Sequence, residues 1–339
     1  MQYRLRSHPL FHSANLLLMK LKENGLYEST VERPGPDKKN PITISMNQRN
    51  LIFVVFSIIV FMIFYVPLRD LWVLSSDDEL YSHIFLIPLI SAYFIYLKRR
   101  EIFQNVSYSF SAGFVVLITG TMLYVVGMSQ GFKLSQNDYL SLMTFTAVLA
   151  WIGGFILFYG MESVKSNLFP FLFLFFMAPI PGMIVERAIS FLQIGSTEVS
   201  YGLFKLSGIP ILRDGFIFHL PGLSIEVAEQ CSGIRSSIAL LITSIMAGQL
   251  FLKSAGRRIV LALVIIPITI LKNGLRIVTL SLLGVYVDQE ILSSSLHKRG
   301  GIPFFFLSLI FLGAILWLLR RSEKNFTNYN DDSLGSKQM

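Results

Sequence analysis

The sequence predicts an all-α, polytopic membrane bundle of about eight transmembrane helices with a small outer-face loop region. Three observations carry that expectation. Apolar residues make up 53% of the 339-residue chain and charged residues only 15%, a balance that suits neither one large soluble domain nor two ordinary ones. A bilayer core about 30 Å thick needs about 20 mostly apolar residues per helix, and such stretches recur along most of the length. Lys and Arg gather in short loops and tails between those stretches, so the formal charge of +8 reads as a topology signal and makes no case for a nucleic-acid partner. The single cysteine cannot form an internal disulfide, and cysteine usage is silent on redox compartment.

Residues 1–50 are polar and of mixed charge and contain "RPGPDKKNP", which reads as a cytoplasmic tail with one short helix around "ANLLLMKLK". Its apolar stretch is too short for a signal peptide, and no small-residue cleavage site follows the first long span. Met46, just ahead of that span, offers an alternative start. The transmembrane domain, 51–320, divides into spans at about 51–68, 80–97, 111–128, 139–160, 168–185, 231–252, 259–285 and 301–319. "MAPIPG" breaks the fifth at its outer end, and Pro267 with Gly274 is expected to kink or divide the seventh. Between the fifth and sixth runs the longest connection, about 186–230. It holds an amphipathic stretch and then "GFIFHLPGLSIEV", whose turn residues between two short apolar runs predict a surface hairpin. Residues 321–339 form a cytoplasmic tail.

Positive charge sets the orientation. With the N-terminus inside, 19 Lys and Arg fall on the inner side and 7 on the outer, while Arg235, Lys272 and Arg276 lie within spans. Loops rich in Lys and Arg stay in the cytoplasm, so an even number of spans puts both termini there. Cys231 then stands at the outer end of the sixth span, Arg276 in the outer half of the seventh, and His297 in the outer loop before the eighth. Topology brings these three residues, far apart in sequence, to one surface.

Each has a chemical use there. A thiol becomes a better nucleophile at a helix N-terminus or beside a cation, and Arg235 lies one turn beyond Cys231. A histidine can take the thiol proton and later hand it to a leaving amine. An arginine inside a span is costly in lipid and marks a functional site by default, as a ligand for a carboxylate or for an oxyanion. The bland readings stand beside these: a small buried cysteine, an arginine snorkelling to the outer headgroups, a solvated loop histidine. His219 and His83 are also outside, and topology does not choose among the three. The adjacent carboxylates at 77–79 read as solvated, not as a metal site.

"EVAEQCSGIRSS", "ILKNGLRIVTLSLLG" and "LHKRGGIPFFFLSL", in that order and each at a membrane segment, resemble the exosortases, bacterial integral membrane enzymes. "YSHIFLIPLISAYFIYLKRR" is similar to the family's early segment with its Ser-His pair, although Ile84 stands where glycine is usual. "GIPILRDGFIFHLPGLSIEV" resembles the stretch leading to the family's cysteine. The resemblance covers about residues 70–320. It implies Cys231 as nucleophile, Arg276 as electrostatic partner and His297 as acid or base, with no cofactor. It implies substrates with a C-terminal sorting signal, made of a Pro-Glu-Pro-like motif, a transmembrane helix and a basic cluster. These would be cleaved near the motif at the periplasmic face of the inner membrane and passed to an envelope acceptor, as sortases do on an unrelated fold, in association with extracellular polysaccharide. The motif varies between subfamilies. Water resolving a thioester makes a protease and an amine makes a transpeptidase, and the sequence leaves both open. The competing class is a transporter or noncatalytic subunit of a polysaccharide export system. Intramembrane cations and a broken seventh helix would suit it, but no inverted repeat or nucleotide-binding motif accompanies them, and the cations gather near one face.

Overall fold

The computed structural model describes residues 46–104, 106–131, 133–229, 232–287 and 301–335, with side chains to residue 323. The chain divides into two compact units, Met1–Asn50 and Leu51–Met339, and the second holds the membrane bundle. Helix α1 (Met46–Ile63) passes into α2 (Tyr65–Asp77) at Phe64. Pro67, in the first turn of α2, has no N–H to give the Ile63 carbonyl, which explains the interruption. A 3₁₀ turn (Glu79–Phe85) leads into α3 (Leu86–Leu97), and the short α4 (Arg99–Ile102) precedes α5 (Phe110–Gln130) and α6 (Gln136–Tyr159). Ser135 caps α6, its hydroxyl accepting from Asp138 N at 3.1 Å. Of the spans, α6 is the most enclosed: 67% of its apolar window is buried, against 11% for α1. The core is therefore built around α6, and α1 presents most of its surface to lipid.

After α7 (Met161–Ser166), the fifth span is short: α8 (Phe169–Phe173) and a 3₁₀ turn (Leu174–Met177), followed by a 90° bend into α9 (Gly182–Leu206). Phe169 packs on Phe94 near the end of α3, with ring centroids 4.8 Å apart. At the other end Asn137, in the first turn of α6, donates to Ile180 O at 2.8 Å. The segment between them thus runs from one end of the bundle to the other. Among the described residues seven helices are long and apolar enough to cross a membrane, or eight if this bent pair is one span, in line with the about eight that hydropathy predicts.

The amphipathic stretch expected between the fifth and sixth spans is the 25-residue helix α9, and the side it buries is the polar one. Gln193, Ser196, Thr197 and Ser200 are buried, while Met183, Ile184, Phe191 and Ile194 are more than half exposed. In lipid the apolar side of a helix faces outward, and small or polar residues line the seam with a partner helix. Beyond α9 the expected hairpin is present as β2 (Ile217–Leu220) and β3 (Leu223–Glu226). A third strand that the sequence does not predict, β1 (Leu212–Asp214), adds an antiparallel edge. Phe218 and Val227 of this region pack with Phe204 of α9 in one apolar cluster.

Next come α10 (Ile234–Phe251), α11 (Ala255–Leu263), α12 (Ile265–Tyr286) and α13 (Gly301–Gly335). Pro267 does divide the seventh span: the chain breaks at Val264, where the proline ring cannot complete the preceding turn. Gly274 does not. It lies inside α12, and a methyl built on it would stand 2.6 Å from Val199 Cγ1 of α9. Its role is close approach of two helices. Gly274→Leu should therefore destabilise the protein by about 1–3 kcal/mol, read as a lower melting temperature in detergent. Gly202→Leu, on the same α9 but with nothing within 4 Å, should melt as wild type does.

Lys98, Arg99, Arg100, Lys165, Lys253, Arg257 and Arg258 lie in or beside the turns at one end of the bundle. Glu323 of α13 joins them there, accepting from Lys253 N at 3.1 Å and Ser254 N at 2.7 Å and pairing with Arg257 at 3.2 Å. The sheet and the start of α10 lie at the opposite end.

Candidate active site

Of the three residues singled out by chemistry, Arg276 is placed by the structure, and Cys231 and His297 lie outside the described residues. The flanks of Cys231 are well defined. Ser232 N donates to Glu229 O at 3.0 Å, and Ser232 is fully buried. Gly233 caps α10 with φ +81°, a left-handed backbone that glycine adopts without strain. The helix begins at Ile234, three residues later than the span boundary drawn from hydropathy.

Gly233 rests on α12. A methyl there would stand 3.4 Å from Lys272 Nζ and 3.5 Å from Asn273 Cγ. Both residues are buried, Lys272 with 5% exposure and Asn273 with none. Lys272 Nζ donates to Ser236 Oγ in the first turn of α10, and Asn273 Nδ2 donates to Ser196 Oγ of α9 at 3.0 Å. Gln193 Nε2 of α9 donates to Val227 O at 2.7 Å, tying the end of the sheet to the same seam. Helices α9, α10 and α12 thus meet along polar bonds at the end of the bundle away from the basic turns. Arg276, partly buried, is one helical turn beyond Lys272 on the same face of α12. The structure therefore brings the segment after Cys231 against α12 within one turn of Arg276.

Sequence reasoning does not single out Lys272, Asn273, Ser196, Gln193 or Ser236 as site residues. The signal is there in the 193, 196, 197, 200 stripe of α9, which has helical spacing but lies on the buried face of that helix.

Arg235 does not stand as a free cation beside the cysteine segment. Its Nη1 meets Glu79 Oε2 at 2.9 Å, with the two side chains 61% and 81% exposed. The carboxylates at 77–79 are thus in use: Glu79 pairs with Arg235, and Asp78 accepts from Leu80 N at 2.9 Å. An ion pair this exposed contributes little, so Glu79→Gln is expected to lower the melting temperature by no more than about 3 °C. His219 bonds Ser224 Oγ at 2.9 Å across β2 and β3. His83 is half-buried and lines a cavity of about 630 Å³ with Asp138 and Ser141. Among the described residues no three His, Cys, Asp or Glu side chains gather closely enough to hold a metal ion.

A family model for transmembrane exosortases matches residues 72–314. The chain belongs to the transmembrane exosortase family. The match runs from α2 into α13 and spans the positions of Cys231, Arg276 and His297 as well as the whole polar seam. No curated protein matches the chain, and no solved structure does. The exosortase assignment and the helices together make it a multi-pass membrane protein.

Proposed function

We propose that this exosortase is a membrane-embedded cysteine protease or transpeptidase, with Cys231 as nucleophile, Arg276 as oxyanion ligand and His297 as acid and base. The observation that carries the reading is the seating of Gly233 on Lys272 and Asn273. It brings the backbone two residues from the sole thiol against α12, one turn from an arginine held inside the membrane domain. A lipid-facing arginine would be expelled to the headgroups, whereas one beside a polar seam serves a ligand.

The basic end of the bundle is cytoplasmic by the positive-inside rule. The seam then faces the periplasm, with both termini inside. The substrates are exported proteins held by their own C-terminal helix, with a basic cluster inside and a Pro-Glu-Pro-like motif outside. Such a helix delivers its scissile bond to the outer surface in two dimensions. The Cys231 thiolate adds to the carbonyl carbon, and Arg276 donates to the oxygen as it becomes negative. His297 gives a proton to the departing amine as the C–N bond breaks, leaving a thioester. It then takes a proton from the incoming nucleophile, and the thiolate is released. An amine of an envelope acceptor in that second step makes the product a transferred protein.

Co-expression with a protein bearing a candidate sorting tail tests this. The expected result is a shortened substrate whose new C-terminal mass exceeds that of the hydrolysed chain by the mass of the acceptor less one water. No shortening with any tail of the basic-cluster type, at verified membrane levels, would count against the reading.

A further inference from the structure

We infer that the cavity between the end of α10, the first turn of α11 and α13 holds the phosphate of an anionic phospholipid. The cavity measures about 480 Å³, and Gln249, Lys253, Arg258, Arg320 and Glu323 supply its polar lining. It lies at the basic end of the bundle, away from the polar seam, and nothing in its chemistry depends on Cys231.

Glu323, the one carboxylate of that lining, is already engaged. It accepts from Lys253 N at 3.1 Å and Ser254 N at 2.7 Å and pairs with Arg257 at 3.2 Å. The three cations of the lining are not: none of Lys253, Arg258 and Arg320 pairs with a carboxylate among the described residues. Arg258 is nevertheless fixed in place by neutral acceptors, its Nε donating to Leu252 O at 2.9 Å and its Nη1 to Gln249 Oε1 at 2.6 Å. These bonds use two of the five N–H donors of a guanidinium, and the remaining donors stand on a fork already oriented. Arg320 lies over the Phe251 ring, 5.8 Å from its centroid. Forked guanidinium donors around a cavity with no free carboxylate in its described lining match a phosphate.

The surroundings of the cavity select the kind of phosphate. Leu250 and Phe251 line it and are about half exposed. Trp317 and Leu318 of α13, beside Arg320, are exposed to a similar degree, and Arg321 lies over the Trp317 ring at 5.4 Å. Exposed apolar side chains at the end of a membrane span meet acyl chains, and a tryptophan there sits at headgroup level. A ligand that satisfies both parts carries its phosphate on an apolar tail. The positive-inside rule puts this end in the cytoplasm, where basic pockets between membrane helices take anionic headgroups. A phosphate bonded to Arg258 and Arg320 joins α11 to α13, as the Arg257–Glu323 pair does, so the bound lipid should stabilise the fold.

The full-length protein, purified in detergent, would be titrated with phosphatidylglycerol, with phosphatidylcholine of the same acyl chains and with inorganic phosphate. Melting temperature and native mass spectrometry give the readout. The expected result is a saturable rise in melting temperature and a retained lipid with phosphatidylglycerol, and neither with the other two at equal concentration. Arg258→Gln and Arg320→Gln should each weaken phosphatidylglycerol binding about tenfold, the loss of one charge-assisted hydrogen bond. Arg99→Gln, at the same end of the bundle but outside the cavity, should bind as wild type does. Should Arg258→Gln fail to fold, Arg320→Gln, whose side chain holds no hydrogen bond among the described residues, decides alone. Phosphatidylcholine binding as tightly, or Arg320→Gln binding phosphatidylglycerol as wild type does, overturns the inference. Equal stabilisation by inorganic phosphate would assign the cavity to a free anion and overturn the lipid. Asp331 and Asp332 are the nearest acidic residues in sequence beyond the described side chains, and tighter lipid binding by an Asp331→Asn, Asp332→Asn double variant would make the chain's own tail the occupant and overturn it as well.

Discussion

Replacement of Cys231 with alanine is expected to abolish processing of a sorted substrate while leaving the protein folded in the membrane. The chain offers no second thiol, and removal of the nucleophile of a covalent mechanism costs on the order of 10⁴-fold or more in rate. Cys231→Ser sharpens the expectation. Serine keeps the size and hydrogen bonding of the side chain, but its hydroxyl remains protonated in a site suited to a thiolate, so it should be as inactive as alanine. The fold supports a clean experiment: α10 begins at Ile234, and its start is secured by Gly233 and by the Lys272–Ser236 bond. Melting temperatures of both variants should match wild type. A transporter would usually tolerate the alanine, and normal processing by it would make Cys231 a structural residue.

The second large effect is expected at Arg276. Loss of one oxyanion donor typically lowers turnover about 10²- to 10³-fold, and Arg276→Ala should fall in that range with substrate binding less affected. Arg276→Lys separates this role from snorkelling. Lysine reaches headgroups as well as arginine does, so a snorkelling residue would be replaced without loss. A forked donor aimed at a developing oxygen would not, because an ammonium cannot reproduce its planar geometry. The position on α12, one turn from Asn273 with its bond to Ser196 of α9, favours the second outcome.

Hydropathy carries most of the architecture. Spans are legible because lipid demands long apolar runs, and Pro267 announces the break at Val264 because the loss of its N–H is a local property of the residue. The departures from expectation have separate physical causes. In water a stripe such as Gln193, Ser196, Thr197 and Ser200 faces outward, so amphipathicity alone does not say which side of α9 is packed. In a membrane domain the same stripe is the packed face. Gly274 likewise looks like a break and is a contact with Val199. Strand β1, only three residues long, has too little pattern to be seen. At the site, motif chemistry points to Cys231, Arg276 and His297 as the candidates, and of these only Arg276 is among the described residues. The Lys272–Ser236 and Asn273–Ser196 bonds link residues 36 and 77 positions apart, pairings that no local pattern reveals.

The central claim is a thioester on Cys231, and the most direct measurement is mass spectrometry of the enzyme trapped with its substrate. Wild-type protein, quenched in acid during processing and digested, should yield the Cys231 peptide carrying the substrate's new C-terminus, and neutral hydroxylamine should release it. Substrate cleavage without an acyl group on that peptide, or cleavage that continues in Cys231→Ala, would contradict the account.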